Sequence, residues 1–101
     1  MSSSDRTHTW RFLSNHTQVL LCLHRNPDAR FRDLAQSIGI TERSAQGIVT
    51  DLIDTGYITR ERIGRRNRYT INPNIAMRHP AQDGHDIGEL LELLKLEDEI
   101  D

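Results

Sequence analysis

The sequence predicts a mainly α-helical chain with one small β-hairpin, an α+β class. Three observations predict it. Apolar residues recur at three- and four-residue spacing through successive segments between Ser14 and Thr55, the period of a helix with one buried face. The period then falls to two between Tyr57 and Asn72, as in a strand. Helical spacing returns from Ile87 in the Leu-rich stretch "IGELLELLKLEDEID". We read residues 1–13 as an N-terminal arm, 14–72 as one domain, 73–86 as a connector and 87–101 as a C-terminal amphipathic helix. A chain of 101 residues supports one small core and an accessory element, and is too short for two independent cores.

The arm ends in "TWRFL", where Trp10, Phe12 and Leu13 read as packing residues of a short strand or an extended segment. The first helix follows in "SNHTQVLLCLHRNP". Ser14 or Asn15 caps it by accepting a free amide, Val19, Leu20 and Leu23 mark its buried side, and Pro27 with Asp28 stops it. After "ARF", "RDLAQSI" makes a second helix of about two turns. Leu34, Ala35 and Ile38 share its inner face, and Gly39 ends it in a left-handed cap. Thr41 caps the third helix, "ERSAQGIVTDLIDTG", and Glu42 sits where the positive end of the helix dipole favours an anion. Its inner stripe is Ala45, Ile48 or Val49, and Leu52, which turns Arg43, Ser44, Gln46, Gly47 and Thr50 outward. Tyr57 to Ile63 and "RYTIN" are then two strands joined by a turn built on Gly64 and Asn67, and Pro73 ends the second. Residues 73–86 read as an irregular connector or a broken helix, and Ile87, Leu90, Leu91 and Leu94 form the stripe of the last helix, widened by Leu93, Leu96 and Ile100.

Charge is divided along the chain. The net charge of -2 combines +4 over residues 1–72 with -6 over residues 73–101, so two surfaces of opposite character are expected. Twelve of the thirteen basic residues are arginine, the side chain suited to forked contacts with phosphate or carboxylate. Five of them, Arg60, Arg62, Arg65, Arg66 and Arg68, stand on or beside the hairpin tip against Glu61 alone, a local +4 that can meet a polyanion despite the acidic total. A polar "MSSSDRTHT" start and a single cysteine, Cys22, favour a cytoplasmic setting, and no apolar run reaches the length of a membrane span.

Helix, link, helix, a "GIT" turn, helix and hairpin is the order of a winged helix-turn-helix domain. The stretch from about Val19 to Asn72 resembles the winged-helix transcriptional regulators of bacteria and archaea of the MarR and ArsR type. The likeness is carried by "FRDLAQSIGITERSAQGIVTDLIDTGYITRER" and "GRRNRYTI": Leu34-Ala35, Gly39, Thr41, Leu52 and the "GYITR" exit into the wing. It implies a helix laid in the DNA major groove with Thr41, Arg43, Ser44, Gln46, Gly47 and Thr50 at the interface. It also implies a wing in which Arg62, Arg65, Arg66, Asn67 and Arg68 meet phosphate or the minor groove. The residue chemistry agrees, since Arg grips guanine and Gln grips adenine through paired hydrogen bonds. Gly47 departs from the family's habit of a longer side chain there.

The stripe of Ile87, Leu90, Leu91 and Leu94 is broader than one small domain needs, so it is expected to join two copies in a homodimer, with Glu89, Glu92, Glu97, Asp98, Glu99 and Asp101 in water. Such a dimer would read double-stranded DNA at two half-sites, most simply as a repressor. The alternative is a winged-helix module that binds a protein and reads no DNA sequence. No nucleophile has a base at motif spacing and no glycine-rich phosphate loop occurs, so no enzyme is predicted. No cofactor is expected either. Cys22 and His24 splay apart on a helix and make a poor metal pair, and the spacing of His79, His85 and Asp86 near the last helix argues against a closed site within one chain, so no metal site is expected.

Overall fold

The computed structural model describes residues 12–77, 80–82 and 84–94. Trp10, His79, Leu96, Ile100 and the acidic residues from Glu97 onward lie outside that set, so the expectations placed on them concern no described residue. Among the described residues four helices and a hairpin follow in the anticipated order: α1 (Asn15–Arg25), α2 (Phe31–Ile38), α3 (Glu42–Asp54), β1 (Ile58–Ile63), β2 (Arg66–Ile71) and α4 (Ile87–Leu94), with a 3-10 turn at Pro80–Gln82 before α4. This is the winged helix-turn-helix arrangement, α+β in class.

Each boundary has a local cause. Ser14 caps α1, its hydroxyl accepting the Thr17 amide at 3.2 Å. Helix α2 begins one residue earlier than the sequence suggested, because the Asp33 carboxylate reaches back to accept the Arg30 amide at 3.1 Å. Gly39 closes α2 in the left-handed region at φ 86°, and Thr41 opens α3 by accepting the Ser44 amide at 3.0 Å.

The core gathers one face from every helix. Val19, Leu20 and Leu23 of α1 meet Leu34, Ala35 and Ile38 of α2 and Ala45, Ile48, Val49 and Leu52 of α3, while Ile58 and Tyr69 bring the base of the hairpin into the same cluster. Ile48 and Val49 are both buried, which resolves the choice the spacing left open. Phe12 is 89% exposed and Leu13 only partly buried, so the described end of the arm places one apolar side chain in solvent.

The hairpin departs from expectation at its tip. Ile63 pairs with Arg66, so the turn holds two residues, Gly64 and Arg65, and Asn67 belongs to β2. Only Gly64 takes a positive φ, 63°, as the first central residue of a II′ turn does, and such a turn matches the twist of the flanking strands. The expected four-residue Gly64–Asn67 turn is therefore corrected. The alternation read along β1 sets the two faces. Opposed residues share a face in an antiparallel pair, so Ile58, Arg60, Arg62, Asn67, Tyr69 and Ile71 lie on the side that reaches the core. Thr59, Glu61, Ile63, Arg66, Arg68 and Thr70 form a wholly exposed outer side. The five clustered arginines thus divide between both sides and the turn.

Connector and last helix are tied to the domain. The Asn72 side chain donates to the Gly56 carbonyl at 2.7 Å, and the Ile87 and Gly88 amides donate to the Ile75 and Pro73 carbonyls at 2.9 and 2.8 Å. Asp86 and Glu89 cap α4 reciprocally, each side chain accepting the other's amide at 3.0 and 3.1 Å. Ile87 and Leu91 are buried in the chain's own core, whereas Leu90 and Leu94 are half-buried and Leu93 is exposed. The stripe assigned to a second copy therefore serves its own domain through Ile87 and Leu91, with Leu94 packed partly against the same core. No described helix is long and apolar enough to cross a membrane.

Gly47 stands in α3 with nothing within 4 Å of the position its Cβ would take. No described part of the chain requires a glycine there. Gly47→Ala is expected to raise folding stability by about 0.5 to 1 kcal/mol, a gain of several degrees in Tm by thermal denaturation. An unchanged or lowered Tm would refute the idea that this glycine is tolerated at a cost in stability.

Candidate nucleic-acid interface

Helix α3 presents a polar, solvent-exposed face. Its inner stripe is packed against α1 and α2, and directly opposite it Arg43, Gln46, Gly47 and Thr50 fall at three- and four-residue spacing on one exposed face. Arg43 and Gln46 have no hydrogen-bond or ionic partner among the described residues, so both can spend their donors on a ligand. Thr41 and Ser44 are differently placed. The Thr41 hydroxyl donates to Ser44 Oγ at 3.0 Å while it accepts the Ser44 amide, so both side chains serve the helix cap. The Ser44 hydroxyl proton remains available to an acceptor outside the chain.

The wing supplies the cationic part, and its arginines are in unequal states. Arg65, at the tip, has no partner among the described residues. Arg62 Nε donates to the Gly64 carbonyl at 3.1 Å and braces the turn. Arg66 Nη2 donates to the Asp28 carbonyl at 3.2 Å. Arg68 is held most firmly, with Nε 3.0 Å from Asp28 Oδ1 and Nη2 donating to Oδ2 at 3.4 Å. That hydrogen bond and the facing charges lower the Asp28 pKa and raise that of Arg68. The expectation that the wing arginines stand against Glu61 alone is corrected for Arg68, because Asp28, which reads as the stop of α1, reaches the wing.

Asp28 reaches the wing because its loop runs beside β2. The Tyr69 amide donates to the Pro27 carbonyl at 2.9 Å, which draws residues 27–31 along the outer edge of the strand. Between them lies an open cleft of about 210 Å³ walled by Arg30, Arg65, Arg66 and Asn67, with Phe31 and Tyr69 among its apolar lining. Sequence reading assigned Arg30 no role, since nothing at its own position links it to residues more than thirty places on. A second cleft of about 220 Å³, mainly apolar, opens where Leu20, Leu52, Tyr57, Ile87 and Leu90 meet.

Other candidates do not assemble. Among the described residues no three His, Cys, Asp or Glu side chains form a group able to hold a metal. His85 and Asp86 belong instead to the start of α4, where His85 Nδ1 lies 2.9 Å from Glu89 Oε1. Cys22 is half-buried, and burial pushes its thiol pKa up.

Comparison with known proteins adds one positive finding. A family model described as MarR family matches residues 12–68, from the lead-in to α1 as far as Arg68 of the wing. A search of curated protein sequences returns no match.

Proposed function

The chain belongs to the MarR family of winged-helix regulators, and from that premise we propose that it binds double-stranded DNA sequence-specifically as a homodimer and represses transcription. It is non-enzymatic in this reading. The observation that carries it is the pairing of an α3 face bearing Arg43 and Gln46 with a wing tip bearing Arg65, three side chains without a partner among the described residues. A major groove offers guanine acceptors to Arg43 and the donor and acceptor edge of adenine to Gln46, with Ser44, Gly47 and Thr50 alongside and Thr41 at the cap. The wing holds the flanking backbone, Arg65 and Arg66 contributing most, while Arg62 and Asn67 support the tip. Two-fold pairing through exposed Leu93 and the uncovered parts of half-buried Leu90 and Leu94 would bring two such surfaces to one duplex. Half-sites about 34 to 36 Å apart then suit the dimer, and occupancy of the operator blocks polymerase.

Salt titration of duplex binding tests this directly. Affinity is expected to fall by about 0.9 logarithmic unit per phosphate contact for each decade of salt. Replacing Arg65 and Arg66 together with Ala is expected to flatten that dependence by about two contacts. Wild-type protein that fails to bind any duplex at low salt eliminates the proposal.

A further inference from the structure

We propose that the cleft between the first turn of α2 and the wing seats a phosphate of the bound nucleic acid, gripped by Arg30, Arg65 and Arg66, and that Arg68 takes no part in binding. This rests on the DNA-binding reading and extends its footprint to a residue outside both the recognition helix and the wing.

Charge and partnership decide the assignment. Three arginines and Asn67 line a cleft of about 210 Å³, large enough for a phosphate group and open to solvent. Among the described residues neither the Arg30 nor the Arg65 guanidinium has a hydrogen-bond or ionic partner, and that of Arg66 commits one terminal nitrogen, to the Asp28 carbonyl at 3.2 Å. Asp28, the acidic residue among those that line the cleft, is already engaged: its carboxylate lies against Arg68 through two contacts of 3.0 and 3.4 Å. The cleft therefore keeps several unspent guanidinium donors around a space with little competing anion, the condition under which a phosphate gains charge-assisted hydrogen bonds. Phe31 is half-buried and Tyr69 buried, so the apolar side is fixed by the fold.

Arg68 is excluded by the same geometry. A side-on contact through Nε and Nη2 uses the edge with which a guanidinium forks an oxyanion, and Asp28 occupies it. Glu61 stands directly across from Arg68 on the exposed side of the hairpin, adding a second negative charge. A phosphate approaching Arg68 would have to displace one carboxylate and pass another.

Duplex titration over a range of salt separates the residues. Arg30→Ala is expected to lower the salt slope by about 0.9 and weaken binding about five- to tenfold near 0.1 M salt, and Arg30→Lys to restore most of both. Arg68→Ala made together with Asp28→Asn, which keeps a freed carboxylate from competing for the cleft, is expected to leave slope and affinity close to wild type. Circular dichroism melts check that each variant is folded. If Arg30→Ala keeps the wild-type slope, or the Arg68→Ala, Asp28→Asn pair loses as much as Arg65→Ala, the assignment is overturned while the wider DNA-binding reading stands. Failure of wild type to bind duplex removes that wider reading as well. Inorganic phosphate supplies the remaining arm: perturbation of the arginine side-chain NMR signals by phosphate, combined with an unchanged duplex slope in Arg30→Ala, assigns the cleft to a free anion and overturns the nucleic-acid claim.

Discussion

Arg43→Ala is expected to weaken binding to the preferred duplex about tenfold to a hundredfold, the equivalent of roughly 1 to 3 kcal/mol, and to relax the choice of base at one position of each half-site. Arg43 occupies the first turn of α3, the part of a recognition helix that enters deepest into a groove, and no described residue competes for its guanidinium. A base contact and a phosphate contact leave different traces. Loss of the first alters which sequences win in a selection of bound duplexes from a random pool, whereas loss of the second weakens all sequences alike and flattens the salt dependence. An Arg43→Ala protein that selects the same sequences as wild type with a lower salt slope would place Arg43 on the backbone. A selection that enriches no inverted repeat from wild type would contradict both sequence reading and two-fold symmetry.

Much of the fold that carries these residues is legible in the sequence, and the reason is locality. Helix caps, buried stripes and the switch from a period of three or four to two are set by residues within a few places of one another, so Ser14, Gly39, Thr41 and the inner face of α3 announce themselves. The two faces of the hairpin were also present in the alternation of Tyr57 to Ile63, yet counting the arginines as one cluster concealed them. What stayed hidden depends on contacts between distant positions. Asp28 reads as the stop signal of a helix, and its meeting with Arg68 forty residues later follows from the Pro27–Tyr69 bond that lays its loop along β2. Arg30 was passed over for the same reason. At the tip the error was one of turn chemistry: Asn67 is a frequent turn residue, but Gly64 alone supplies the positive φ that a two-residue turn needs.

The C-terminal helix yields a prediction of comparable size because its apolar residues face two ways. Leu91 and Ile87 are fully within the domain core, while Leu93 is 63% exposed. Leu91→Ala removes buried methyl groups and leaves a cavity, at a cost of about 2 to 5 kcal/mol, so the melting temperature is expected to fall by roughly 10 °C or more. Leu93→Asp has no core contact to lose and should hold stability within about 0.5 kcal/mol. In a dimer joined through α4, however, that substitution puts a charge into an apolar contact, and the protein is expected to elute as a monomer by size-exclusion chromatography with light scattering. A monomer binding one half-site loses the reinforcement of the second, so duplex affinity should drop even though Arg43, Gln46 and Arg65 are untouched. The reverse pattern, an unchanged dimer in Leu93→Asp and an unchanged melting temperature in Leu91→Ala, would mean that the helix neither docks on its own domain nor joins two copies. A dimer that persists in Leu93→Asp while Leu91→Ala melts early would confine α4 to covering its own core and move the two-fold contact elsewhere on the molecule.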